Sequence, residues 1–387
     1  MYLDLLEKNL KQGVVHLHLP GNRKYRFGQS GREAHWLIHN ETAMYNIARD
    51  WEFELGETYM NGDWDVGECE LRDLLAILRA NFAEYSASAW MQPFIRLIQQ
   101  WNKISRSYRN VAHHYDLDEE LFRLFLDRDM HYSCAYYTSK WQTLEQAQQD
   151  KCRHIASKLL LQPGQQVLDI GSGWGSLAFY LAEHHDVEVT GITLSREQLK
   201  VAKQRARKRG LSSKVKFLLQ DYREHQGGYD RIVSVGMFEH VGQPNYNTYF
   251  RKIKEWLHSD GVALIHTIGR SGPPAVTNPW IRKRIFPGGS LPSLSQVTKG
   301  VEDIHLLMTD IEILRLHYAR TLRAWQQNLH RNRERVIEKM GERFYRMWEF
   351  FLTGSEFSFR RLGQMVFQMQ LARRRDSVPL IRDYLYD

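Results

Sequence analysis

Residues 229–242 read YDRIVSVGMFEHVG: an apolar run of strand character, then a carboxylate and an imidazole, Glu239 and His240, inside a glycine-bounded turn. Open α/β sheets bind their ligands just past the carboxyl ends of their strands. A carboxylate and an imidazole set there can accept, donate or orient a proton. Upstream, Val167-Leu168-Asp169-Ile170-Gly171-Ser172-Gly173-Trp174-Gly175 leads out of a second apolar run. Glycines at alternate positions let a backbone turn tightly and approach a ligand closely.

The spacing of that loop narrows its chemistry. A dinucleotide fingerprint requires G-x-G-x-x-G and an acid closing the second strand. Here Ser176 occupies the third glycine position, and the second strand runs into Gly191-Ile192-Thr193-Leu194-Ser195 with no acid. What remains is D-x-G-x-G-x-G, the loop by which doubly wound methyltransferases hold S-adenosylmethionine. On that reading Asp169 sits at the base, and Gly171, Gly173 and Gly175 line the methionine and ribose side. Asp221 and Tyr222, after the third strand, stand where adenine is often met. The plain alternatives are a tight strand-to-helix turn without a ligand and an ordinary turn acid at Asp221.

These residues need a frame. From Val167 onward strands alternate with helices: VLDI and SLAFYLAE, VEVTGI and a helix from Ser195, VKFLLQD, DRIVSV and NYNTYFRKIKEWL, then VALIHTI. Such alternation predicts an α/β fold with a doubly wound, Rossmann-like methyltransferase sheet. Ser195-Arg196-Glu197-Gln198 reads as a capping box. The N-terminal part differs. VVHLHLPGNRKYRFG predicts two strands about Pro20-Gly21-Asn22, and the strand-and-turn reading continues through HWLIHN and WEFELGETYMNGDWDV. Cys69 to Phe82 and Ser86 to Gln100 have helical spacing, and WNKISRSYRN reads as a linker. We therefore expect a smaller α+β domain over residues 1–105 and a catalytic domain over 110–387. The Gly- and Pro-rich stretch near 270–310 is long for a connection and reads as a lid-like insertion. In RVIEKMGERFYRMWEFF, Val336, Met340, Phe344, Met347 and Phe351 share one helical face, which predicts a core stripe with Arg335, Lys339, Arg343 and Arg346 solvated.

Composition sets the class. The chain has 387 residues, 43% hydrophobic and 25% charged, as expected for a globular protein rather than a disordered one. No stretch approaches the roughly eighteen apolar residues of a spanning helix, and MYLDLLEKNLKQG lacks the apolar centre of a signal peptide, so we expect a cytoplasmic protein. Cys69, Cys134 and Cys152 are an odd number at unrelated spacings, which predicts reduced thiols and no metal site. A net charge of +8 with 12% aromatic residues suits an anionic membrane surface or nucleic acid, or simply a solvated exterior.

Several stretches together carry a resemblance. YSCAYY at 132–137, LEQAQ at 144–148, VLDIGSGWG, GITLSREQ, LQDYR, RIVSVGMFEHVG, LIHTIG and NPWIRKRIFPGGSLPS closely resemble the cyclopropane-fatty-acid synthases. The resemblance runs from about Asn110 to the C-terminus, and GETYMNGDWD resembles that family's smaller lipid-engaging N-terminal domain. It implies transfer of a methylene group from S-adenosylmethionine to the double bond of an unsaturated phospholipid acyl chain. It further implies that Tyr132, Ser133, Thr193, Leu194, Ser195 and Gln198 join the glycines around the donor. A bound bicarbonate ion is implied as the proton acceptor, held by Cys134, Glu239, His266, the Ile268 amide and Tyr318. Glu239 then orients the base, and His240 is a local structural residue. Peripheral association with the inner membrane face, a homodimer and no role for nucleic acid follow from the same likeness.

Two positions depart from the family pattern. Ser172 stands where Cys is frequent, and Ser355 where some relatives carry a C-terminal cysteine, so a thiolate nucleophile is unavailable there. Taken singly, His266 reads equally as a core histidine, Cys134 as a small buried apolar residue and Tyr318 as packing. Rival activities are methylation of the acyl chain to a branched product, N-methylation of a small amine, or binding without catalysis.

Overall fold

The computed structural model describes residues 2–82 and 119–385. The helix expected over Ser86 to Gln100 and the linker at 101–110 lie outside the described residues. The chain forms two compact units that are not contiguous in sequence. One holds residues 2–82, 277–285 and 322–362; the other holds 119–276, 286–321 and 363–385. The segment 110–387 is thus shared between them.

In the first unit, β1 (Val14–Leu19) and β2 (Arg23–Phe27) form the expected hairpin, with Leu19 opposite Arg23. Gly21 and Asn22 both take positive φ in its turn. Strand β3 (Glu33–Ile38) pairs parallel with β1 and antiparallel with β4 (Trp64–Val66). WEFELGETYMN is not strand and turn but a helix, Trp51–Asn61. Asp50 caps it by accepting from the Phe53 amide, and Gly62 ends it at φ 82°. Leu55, Thr58 and Tyr59 at helical spacing supply its buried side, a periodicity that the surrounding turn residues masked.

The C-terminal stripe is also corrected. Gly341, at φ 84° and ψ 157°, separates the helix Arg333–Met340 from the helix Glu342–Arg361 and resets the phase between them. Tyr345, Trp348, Leu352 and Phe359 are buried instead of Phe344 and Met347. Arg346, expected in solvent, is buried. Its guanidinium donates to the Tyr59 and Trp64 carbonyls, each at 2.6 Å, and to Asp65 at 2.8 Å.

The second unit is built on a seven-stranded sheet. Its strands are β5 (Gln166–Ile170), β6 (Glu188–Thr193), β7 (Val215–Leu219), β8 (Tyr229–Val235), β9 (Leu257–Arg270), β10 (Leu307–Ile313) and β11 (Gln364–Ala372), in the order β10-β11-β9-β8-β5-β6-β7. β11 runs against the other six, pairing antiparallel with β9 and β10. The chain winds from β5 outward through β6 and β7, then returns to place β8 on the other side of β5. That reversal is the switch point at which doubly wound sheets bind ligands. Each face has its own core. Leu168, Ile232 and Ile265 pack on one side, and Val167, Val233 and Leu264 on the other, following the strand period of two.

The stretch 270–310 is not one long loop. Asn278 caps the helix Pro279–Arg284, and Ser293 caps the helix Leu294–Asp303 with a full capping box.

Candidate active site

At the switch point lies a cavity walled entirely by the second unit. Gly171 and Gly173 line it from the loop after β5, Thr193 and Leu194 from the end of β6, Gln198 from the helix that follows, and Asp221 and Tyr222 from beyond β7. Tyr132 and Ser133 close it from the preceding segment, and Asp169 forms its floor. Gly175 and Ser195 do not reach this wall; they shape it from behind. Gly175 takes φ 84° as the N-cap of the helix Ser176–His185. Ser195 accepts from the Gln198 amide at 3.1 Å to begin the helix Arg196–Lys208. The predicted capping box is half formed, because the Gln198 side chain turns to Thr193, whose hydroxyl donates to Oε1 at 3.2 Å.

The loop is held by its neighbours. The Gly171 and Ser172 amides both donate to the Ile192 carbonyl, at 2.9 and 3.0 Å, which fixes the loop against β6. Asp221 is engaged by its own turn, accepting from the Arg223 amide at 2.9 Å and from its guanidinium at 2.8 and 2.6 Å. Tyr222 stacks edge-on against Tyr249, with its buried hydroxyl unpartnered.

Two buried carboxyls carry the electrostatics. Asp169 is 2% exposed, and among the described residues its Oδ2 has no partner. Burial raises its pKa to about 7, against the opposing pull of Lys151. Burial likewise raises Glu239 to about 7, although the Ile268 amide donates to its Oε1 at 2.6 Å and the Thr267 side chain also pulls it down; among the described residues Oε2 accepts no hydrogen bond of normal geometry. The sign for stability follows by linkage. Each folded pKa lies above the unfolded value, so each contribution is complete below about pH 4 and is lost as pH rises through about 7. His240 and His266, lowered by burial to about 4 and about 3, act oppositely below neutrality. Comparison with a variant isolates one group. Asp169→Asn should gain about 1 kcal/mol on the wild type between pH 6 and pH 8 in ligand-free denaturant titrations. A constant difference across that range would contradict the burial argument.

Glu239 follows β8 and meets the Ile268 amide of β9, and His266 lies two residues before Ile268 on that strand. Val235 pairs with His266, and the Gly236 amide donates to the His266 carbonyl at 2.9 Å. The short 3-10 turn Phe238–His240 follows. Phe238 anchors it among the rings of Tyr246, Tyr249 and Phe250, with centroids 4.6, 5.1 and 5.5 Å away. Glu239 is thereby turned toward β9 and His240 toward the cavity, whose wall it joins. His266 Nδ1 lies 3.2 Å from the Gln368 side-chain amide, which holds the ring in place. The segments that carry Cys134 and Tyr318 are joined through their neighbours. The Ala135 amide donates to Thr321 Oγ1 at 3.1 Å, tying the Cys134 segment to the helix His317–Arg331, one turn beyond Tyr318. Burial pushes the Cys134 thiol well above its usual range. None of these five residues lines the cavity itself.

Sequence reasoning missed several groups. Lys151 and His131 line the cavity, and so do Met237, Pro287 and Gly288. His131 bridges Asp127, 2.8 Å from Nδ1, and Cys152, 3.3 Å from Nε2. All three are buried, so they brace the segment leading to Tyr132 and Ser133. The charged and aromatic neighbours of LEQAQ offered a signal for Lys151 only as part of a helix face.

A Rossmann-like sheet with a glycine loop, a buried acid at the end of its first strand and a cavity at the switch point defines an S-adenosylmethionine-dependent methyltransferase. A family model described as mycolic acid cyclopropane synthetase matches residues 102–369, and the chain belongs to that family. It is 39% identical over 342 residues to the cyclopropane-fatty-acyl-phospholipid synthase of Escherichia coli K12, covering 87% of each chain. It is 35% identical over 384 residues to the tuberculostearic acid methyltransferase UfaA1 of Mycobacterium tuberculosis, covering 92% of this chain and 88% of the relative. Among solved structures, the mycolic acid cyclopropane synthase CmaA1 complexed with SAH and CTAB superposes with a TM-score of 0.64 at 34% identity, over 68% of this chain and 97% of that one.

Proposed function

We propose that the protein converts the double bond of an unsaturated acyl chain in a membrane phospholipid to a cyclopropane ring. The alkene π pair attacks the sulfonium methyl, the C–S bond electrons pass to sulfur, and a carbocation remains. Loss of a proton from the new methyl closes the ring. An isolated alkene is a weak nucleophile, so orientation and exclusion of water do most of the work. The observation that carries this reading is Glu239, a buried carboxyl just past β8 with an Oε2 that has no hydrogen-bond partner among the described residues and a pKa raised to about 7 by burial.

Cys134, Glu239, His266, the Ile268 amide and Tyr318 would hold bicarbonate, which when bound supplies a small oxyanion of suitable basicity. The orphaned Oε2 fits the hydroxyl of such an ion as its acceptor. The Ile268 amide is already committed to Oε1. That contact favours a second reading in which Glu239 itself takes the proton. A charge of +8 and the absence, among the described residues, of a helix able to cross a membrane are in keeping with peripheral docking on an anionic inner leaflet.

The test is incubation with unsaturated phospholipid vesicles and labelled S-adenosylmethionine, followed by mass spectrometry and proton NMR of the lipid. Upfield cyclopropane protons are expected; a methyl-branched product without them would replace ring closure by simple methylation. Repeating the assay in carbon dioxide-free buffer separates the two proton acceptors. Activity restored by added bicarbonate supports the bound ion, and unchanged activity assigns the proton to Glu239.

A further inference from the structure

Two lysines on the helix Leu144–Leu159 are equally hidden, Lys151 at 1% exposure and Lys158 at 0%. Their surroundings differ. Lys158 Nζ sits 3.0 Å from Asp310 and 2.6 Å from Glu312, a complete set of counter-charges. Lys151, two turns earlier, forms no ion pair among the described residues, and the hydrogen bond of its Nζ goes to a neutral hydroxyl, Ser133 Oγ, at 3.3 Å. A buried ammonium without a carboxylate costs several kcal/mol, whereas one that gains an anion with good geometry recovers much of that. Lys151 lies in the wall of the donor cavity, beside Ser133 and Asp169. Asp169 feels its field but lies beyond ion-pair distance, and the buried Asp127 is taken up by His131. Among the described residues no carboxylate supplies the counter-charge of Lys151.

Resting on the reading of this cavity as the S-adenosylmethionine site, we infer that Lys151 is the residue that binds the α-carboxylate of the donor's methionine end, with Ser133 as its hydrogen-bonding companion. S-adenosylmethionine and its product S-adenosylhomocysteine both carry that carboxylate, so Lys151 contributes to affinity for each and not to the chemical step. A charge-assisted bond of this kind formed away from bulk water should account for roughly 10- to 100-fold in affinity. The residue is a donor-binding group, distinct from the proton-handling set at the ends of β8 and β9.

The experiment is titration calorimetry on the full chain with S-adenosylhomocysteine and with its decarboxylated analogue, for the wild type and for Lys151→Met. Wild type should prefer the intact ligand, and Lys151→Met should lose that preference by weakening S-adenosylhomocysteine roughly 10- to 100-fold while holding the decarboxylated analogue within about threefold. In the absence of ligand Lys151→Met should melt no lower than wild type, because it removes an uncompensated buried charge. Equal losses for both ligands, or unchanged affinity for S-adenosylhomocysteine, would overturn the inference. A wild-type chain that fails to bind S-adenosylhomocysteine would instead overturn the donor-site reading beneath it.

Discussion

On the proposed reaction, Glu239→Ala and His266→Ala should each lower turnover by roughly 10²- to 10⁴-fold, the range of a lost general acid–base contribution, while S-adenosylhomocysteine should bind within about threefold of the wild type. The expectation follows from position. Both side chains are buried at the ends of adjacent strands, and neither lines the donor cavity. His266 is held neutral by burial, with Lys151, Lys158 and His154 adding to the depression, so it acts as a neutral hydrogen-bonding group and not as a source of positive charge. Glu239→Gln sharpens the experiment. It retains the volume and an acceptor for the Ile268 amide but puts an NH2 donor where Oε2 would accept from bicarbonate or take the proton itself, so turnover should fall as far as in Glu239→Ala. The wild-type rate should rise with pH through about 7, as Glu239 ionises, and the glutamine variant should lack that limb. Loss of S-adenosylhomocysteine affinity in both alanine variants would place these residues at the donor instead.

The second large effect separates the three glycines of the loop after β5. All three have positive φ, at 85°, 53° and 84°, so alanine is strained at each. What a new Cβ meets differs. At Gly175 it would lie 2.7 Å from the Phe217 ring and 2.9 Å from the Phe179 ring, two buried side chains packed edge to face. At Gly171 it would lie 2.8 Å from Met237 Cβ, on the segment that leads to Glu239. At Gly173 the nearest neighbour is Gln198 Nε2, 4.0 Å away. Gly175→Ala should therefore be the most destabilising, by about 3 kcal/mol or more from strain and overpacking together. Gly171→Ala should weaken S-adenosylhomocysteine more than about tenfold with a smaller stability loss, and Gly173→Ala should cost about 1 kcal/mol of stability. Denaturant titrations and calorimetry of the three variants read both quantities. A Gly175→Ala variant as stable as Gly173→Ala would refute the packing argument.

The legible parts of this protein were those in which function and local structure share one stretch of chain. D-x-G-x-G-x-G announces both a strand-to-helix turn and a ligand loop, and the strand-helix alternation after Val167 announces the sheet that presents it. The helix Trp51–Asn61 was hidden because its turn-forming neighbours outweighed a weak apolar periodicity. Arg346 was misplaced because Gly341 shifts the helical phase, and a phase cannot be carried across a residue whose backbone leaves the helix.

The sequence by itself determined the donor loop, the order of strands and helices around it and, through resemblance, the residues worth testing for proton transfer. Only the tertiary structure decided that, among the described residues, Lys158 has two carboxylate partners and Lys151 has none, that Glu239 keeps one oxygen without a partner there while the other takes the Ile268 amide, and that His240 faces the cavity. The reason is physical. Periodicity reports which side of an element is buried, but the partner of a buried charge comes from segments distant in the chain, and its presence or absence sets the energy of that charge.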